Sequence, residues 1–130
     1  MVNSSFQFSR PVLVKSEFQL NDDFKVEEGA NIEMKIDASV DKNVDADSRT
    51  AMVALTLKIG AKDSNYPFFI DITEQAGFKW NENLDGVYEQ LLNQNAPALL
   101  LGYIRQIVVE LTAASPYSAY HLPFIDFTKN

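Results

Sequence analysis

The chain has 130 residues, 46% hydrophobic and 12% aromatic, with 18 acidic side chains against 11 Lys and Arg and a net charge of −7. That length and composition fit a single domain over residues 1–130 with ample core material. The acidic balance argues against nucleic acid and anionic membranes as partners, because both are held by clustered cations. The lack of cysteine removes disulfides, thiolate metal sites and cysteine nucleophiles.

The first ten residues, MVNSSFQFSR, show no basic segment followed by an apolar block, so no signal peptide is read there. The longest apolar run falls short of a membrane span. Together with the absent cysteines, this sets the expectation of a cytoplasmic protein. Phe6 to Leu20 reads as a first strand, with Val12, Val14, Phe18 and Leu20 on one side and Lys15, Glu17 and Gln19 on the other. Pro11 marks an edge strand or a bulge near its start. A polar turn over 21–30 follows. Asn31 to Asp41 is the clearest strand, with Ile32, Met34, Ile36, Ala38 and Val40 alternating with polar residues. An acidic loop over 41–48 leads to a third strand, Ala51 to Ile59. A fourth, Tyr66 to Glu74, turns Phe68, Ile70 and Ile72 inward. Four alternating strands joined by polar loops predict an antiparallel meander with one wet face.

Gln75 to Asn83, which contains Gly77, Phe78 and Trp80, reads as a crossover. A short helix is predicted over Leu84 to Asn93, with Leu84, Val87, Tyr88, Leu91 and Leu92 on one face. A long helix is predicted over Ala96 to Ala114, with Asn95 as N-cap and Pro97 in the first turn. Leu100, Ile104, Ile107, Val108 and Leu111 make one apolar side of it. Leu99, Leu101, Tyr103 and Val109 are apolar and point elsewhere. Burial on two sides is the inference: the chain's own sheet on one, a second subunit on the other. The expected oligomer contact is Leu99, Gly102, Tyr103 and Val109, with Gly102 allowing another backbone to approach. The tail from Ser115 is aromatic and extended. The fold class is therefore α+β: a four-stranded, meander-like antiparallel sheet with a crossover, a short helix and one long C-terminal helix packed on it.

Little in the chain points to catalysis. Asp41 to Asp47 places oxygen side chains as a calcium loop does, but Ala46 stands where that loop needs glycine and Met52 where it needs a bidentate Glu. His121 is the single histidine, and no nucleophile motif surrounds it. The five glycines are scattered, so no phosphate-cradling loop exists. No catalytic residue, metal or cofactor is expected. The positive signal is aromatic: Phe78, Trp80, Leu84, Tyr88, Leu91 and Leu92 around the crossover, and Tyr117, Tyr120 and Phe124 in the tail. One reading makes these a satellite core. The other makes Phe78, Trp80, Leu84, Tyr88 and Leu92 a groove for extended apolar polypeptide, working by non-directional burial at roughly 25 cal/mol per Å².

Three stretches carry a family resemblance. Residues 69–78, FIDITEQAGF, resemble the fourth strand and the glycine-aromatic start of the crossover in the SecB protein-export chaperones. Residues 96–105, APALLLGYIR, resemble the opening of that family's long helix. Residues 122–127, LPFIDF, resemble its extended segment after the helix. The chain is most similar to the small SecB-like proteins of bacteria. The resemblance implies a four-stranded sheet, a homodimer packed through long helices or a homotetramer of two such dimers, and unfolded or extended protein segments as ligand with no chemistry. A dedicated role with one client, such as guarding an antitoxin, is the alternative it implies. In the family a second helix and a motor-binding tail follow the extended segment. The sequence stops at Asn130, which sets the expectation that handover to a translocase motor is absent.

Overall fold

In the computed structural model, which describes residues 5–25 and 33–128, the first predicted strand is broken in two. β1 (Phe6–Phe8) and β2 (Val12–Leu20) lie end to end on one edge of the sheet. Pro11, which cannot donate to a ladder, stands in the break. Both pieces pair antiparallel with β5 (Phe68–Trp80), β1 along 78–80 and β2 along 68–75. Ser9 bridges the gap: its N–H donates to the Gly77 carbonyl at 2.8 Å, and its hydroxyl accepts the Gly77 N–H at 2.9 Å. A bulge between Leu13 and Lys15 shifts the register. Leu13, Ser16, Phe18 and Leu20 therefore share a face, in place of the predicted set that began with Val12 and Val14.

β3 (Ile36–Asp45), β4 (Thr50–Gly60) and β5 form a meander. The sheet order is β3-β4-β5, with the broken strand on the far side of β5. All four predicted strand positions exist, but the first strand pairs with the last rather than with its neighbour in sequence. β3 is left as the opposite edge. Residues 26–32, which include the predicted start of the second strand, lie outside the described residues.

Two strands run further than their periodicity suggests. β3, β4 and β5 stay in register out to Asp45, Thr50 and Lys79. The supposed acidic loop is therefore strand through Asp45, and the supposed crossover is strand through Trp80. Asp41, Asn43 and Asp45 lie on one side of an extended strand, with Lys42 and Val44 on the other, so this stretch does not wrap an ion as a calcium loop does. The β3–β4 turn places Arg49 at φ 54. The Asp45 carboxylate accepts from the Ser48 backbone and hydroxyl.

After a short 3₁₀ turn at Glu82–Leu84, one continuous helix, α1, spans Tyr88–Ala113. The two predicted helices are thus joined. The joint is a π-turn over Leu91–Asn95, with the Ala96 N–H donating to the Leu91 carbonyl. Pro97 follows directly. It has no N–H, and its ring crowds the carbonyl four residues back, so a widened turn before it relieves both problems. Asn95 is not an N-cap: its φ and ψ are −74 and −40, helical values, and its side chain makes no capping bond. By length and composition α1 would also suit a membrane span. Here its Leu100, Ile104 and Val108 are fully buried in the core it shares with β4 and β5. The facing sheet residues Val53, Leu55, Leu57, Ile59, Ile70 and Ile72 are equally buried.

β4 ends at Gly60, whose φ of +74 suits glycine, and a Cβ there would lie 2.2 Å from the Phe68 carbonyl oxygen. Gly60→Ala is expected to lower stability by about 2 kcal/mol or more in urea unfolding, because backbone strain and a backbone clash add.

Candidate functional site

The aromatic residues gather at the β1 end of the sheet. Phe6 stacks on Phe78 at 5.5 Å, Phe8 tilts against Phe78 at 6.3 Å, and Trp80 stacks on Tyr88 at 4.6 Å with 7° between the rings. Of the five residues expected to line a groove, Phe78, Trp80 and Leu92 are buried, while Leu84 and Tyr88 are half-buried. The reason is the extra length of β5. Alternation along 68–80 sends even-numbered residues to the helix side, so Phe78 and Trp80 join the core instead of standing in an open loop.

Arg49 ties this end together. Its guanidinium forks onto the Asp85 carboxylate with two bonds of 2.8 Å, and its carbonyl accepts the Trp80 N–H at 3.1 Å. The fork holds the Asp85 carboxyl below the usual carboxylate range.

Beside the aromatic cluster the sheet is concave. A cavity of about 630 Å³ is lined by residues 7–9 of β1, 50–52 of β4 and 77–79 of β5, with Asn43 and Asp45 of β3. Two structural facts make it. The edge strand breaks here, and Gly77 has no side chain, so the space between Met52 and Ser9 stays open. Phe8 and Met52 are 48% and 45% exposed. Asp45 and Lys79 supply the charge. The cavity offers apolar burial with a thin polar fringe. Among the described residues no three His, Asp or Glu side chains gather as a metal cluster. His121 is exposed in the tail.

Phe78 is the one predicted groove residue that lines this cavity. Phe8, Met52 and Gly77 escaped the sequence reading. The available signal was Met52, an apolar side chain at an outward position of an otherwise alternating strand.

The four expected interface residues share the side of α1 away from the sheet. Leu99 and Val109 are half-buried, Tyr103 is 40% exposed, and a Cβ at Gly102 would meet nothing within 4 Å.

Two carboxylates are buried in β5. Asp71, on the face away from α1, pairs with Lys15 at 2.6 Å. Glu74 lies on the helix side between Leu13 and Leu55, and its Oε2 has no partner. Burial pushes the Glu74 carboxyl up.

Residues 17–129 match the family model described as "Preprotein translocase subunit SecB". Among solved structures, the Mycobacterium tuberculosis Rv1957 SecB-like chaperone, in complex with a ChAD peptide from the Rv1956 HigA1 antitoxin, is similar in fold. Its TM-score is 0.73 at 13% identity, over 93% of this chain and 91% of that one. A protein of unknown function from Streptococcus agalactiae gives 0.49 at 15% identity, over 92% and 97%. No curated protein matches the sequence.

The raised Glu74 carboxyl carries a signed pH dependence. Its folded value lies above the unfolded one, so the stability it contributes is complete below about pH 4 and is lost as pH rises through the folded value. Urea midpoints measured from pH 4 to 7 are expected to fall more steeply for the wild type than for Glu74→Gln.

Proposed function

The chain belongs to the SecB family, and from that premise we propose that it binds extended apolar segments of other proteins without transforming them. The observation that carries this reading is the cavity at the broken edge, where Phe8 and Met52 stand exposed over a glycine floor. Covering such side chains yields about 1.5–3 kcal/mol each, and it does so without selecting a sequence. Phe78 lines the cavity. The Trp80–Tyr88 stack, with Leu84 and Leu92, forms the firm wall behind it. Neither a cofactor nor a catalytic residue enters this account.

The protein is cytoplasmic in this reading and acts as a homodimer or homotetramer. Leu99, Gly102, Tyr103 and Val109 form the contact between copies. The exposure of Tyr103 and the open space at Gly102 support that assignment, since a partner helix fits there. A second reading, one dedicated client, is favoured by the fold neighbour Rv1957, whose structure holds a peptide from one antitoxin. A pull-down that returns one stoichiometric partner favours the dedicated role, and a broad set of clients favours the general one.

Binding of a reduced, unfolded model protein is expected at micromolar concentration. Met52→Glu is expected to weaken it at least tenfold with little change in the thermal midpoint, because Met52 is exposed. A wild-type chain that neither binds unfolded protein nor suppresses its aggregation removes the reading. Separately, Gly102→Leu is expected to shift elution in size exclusion to the monomer volume, and unchanged elution means this face is not the contact.

A further inference from the structure

After α1 the chain runs extended and unpaired through residue 126, with a turn at 127–128. Its first part is firmly held. Thr112 Oγ1 accepts the Tyr120 N–H at 2.7 Å while donating to the Val108 carbonyl at 2.7 Å. The Arg105 guanidinium donates to the carbonyls of Leu122 and Pro123. Leu122 is 6% exposed, within the core.

Beyond Pro123 the character changes. Phe124 is 84% exposed, and Ile125 and Phe127 are half-buried. The hydrogen bonds at this end turn back on the segment itself, from Thr128 to the Asp126 carboxylate. Two cavities flank the segment. One of about 470 Å³ lies between Ile125, Asp126 and Phe127 and the helix-facing side of β3, at Ala38, Val40 and Lys42. The other, about 240 Å³, lies against Gln94, Asn95 and Ala98 at the start of α1. Close-packed protein does not leave voids of this size beneath a settled segment.

We propose that residues 124–128 are a displaceable strap over a second binding trough, and that the trough takes an extended polypeptide segment with apolar side chains two residues apart. The chain's own segment shows the chemistry that fits. Ile125 and Phe127 sit two apart in extended backbone, so both address the same side. Ala38 and Val40 form the apolar floor. The Lys42 ammonium, bonded to Asn93 across the trough, favours an acidic residue between the two apolar ones, where Asp126 stands in the strap. An incoming segment competes with a partner that fills the trough poorly. The anchors at Thr112 and Arg105 keep the rest of the tail in place when the strap lifts. This inference rests on the reading of the chain as a binder of extended segments and adds a second place where such a segment lies.

The test uses a fluorescent peptide copying residues 123–128. Two full-length variants bracket the wild type. Ile125→Asp/Phe127→Asp releases the strap. Ala38→Cys/Phe127→Cys joined by a short bis-maleimide locks it, cleanly so because the natural chain has no cysteine. The released form is expected to bind the peptide at least tenfold more tightly than the wild type, with an unchanged thermal midpoint. The locked form is expected to lose binding that the unlinked double-cysteine protein retains. Equal binding by released and locked forms overturns the strap, as does failure of the released form to bind. Either result leaves Met52-dependent binding of unfolded protein standing. Loss of that second readout in every form overturns the broader function and the strap together.

Discussion

Everything in the fold refers back to β5. It pairs with β4 along one side and with both pieces of the broken edge along the other, and it supplies helix-facing residues from Phe68 to Trp80. A strand of 13 residues with one face under a helix has a single allowed register, since a slip of one residue would exchange its two faces. That requirement places Ile70 and Ile72 under α1 and draws Phe78 and Trp80 into the core. Glu74 is carried to the same side by the same alternation, which is why a carboxylate sits among Leu13 and Leu55 with one oxygen unmatched.

The site is a by-product of how that strand is covered. Its outer side near Gly77 is flanked by a partner that breaks at Ser9 to Pro11, and Gly77 adds nothing of its own. The opening is therefore edged by β1 and walled by β4, with Phe8 and Met52 left partly in water. Apolar groups in such a place draw other apolar groups by area alone. This fits a family whose members are described as translocase subunits and a fold neighbour that holds a peptide. The concavity belongs to the rigid sheet, whereas the trough under residues 124–128 is roofed by a segment with few ties, so the two places differ in how readily they open.

What could be read in the sequence divides along a physical line. Period-two alternation is a local property, so the strands around Ile36, Leu55 and Ile70 were legible, and Pro11 announced the edge. Sheet order is not local: nothing near Phe6 says that it meets Trp80. The end of β5 was misread because Gly77 and a run of aromatics resemble loop punctuation, while in the fold the glycine is tolerated inside a strand and the aromatics pack inward. Pro97 likewise suggested a helix start, but a π-turn let one helix run through it. Phe78 was legible as part of the site, whereas Phe8 and Met52 were not, since the cavity exists only where three distant strands meet.

The π-turn at Leu91–Asn95 has one further consequence. A turn closed from residue 96 to residue 91 contains one residue more than an α-helix uses, so it acts as an angular offset between the two halves of α1. Removing a single residue from that turn would rotate everything after it by about 100°. Leu100, Ile104 and Val108 would swing out from the sheet and the Gly102–Tyr103 side would swing toward it. The azimuth of the outward side is thus fixed by the length of five residues at the other end of the helix, and insertions or deletions there would re-aim it as a unit.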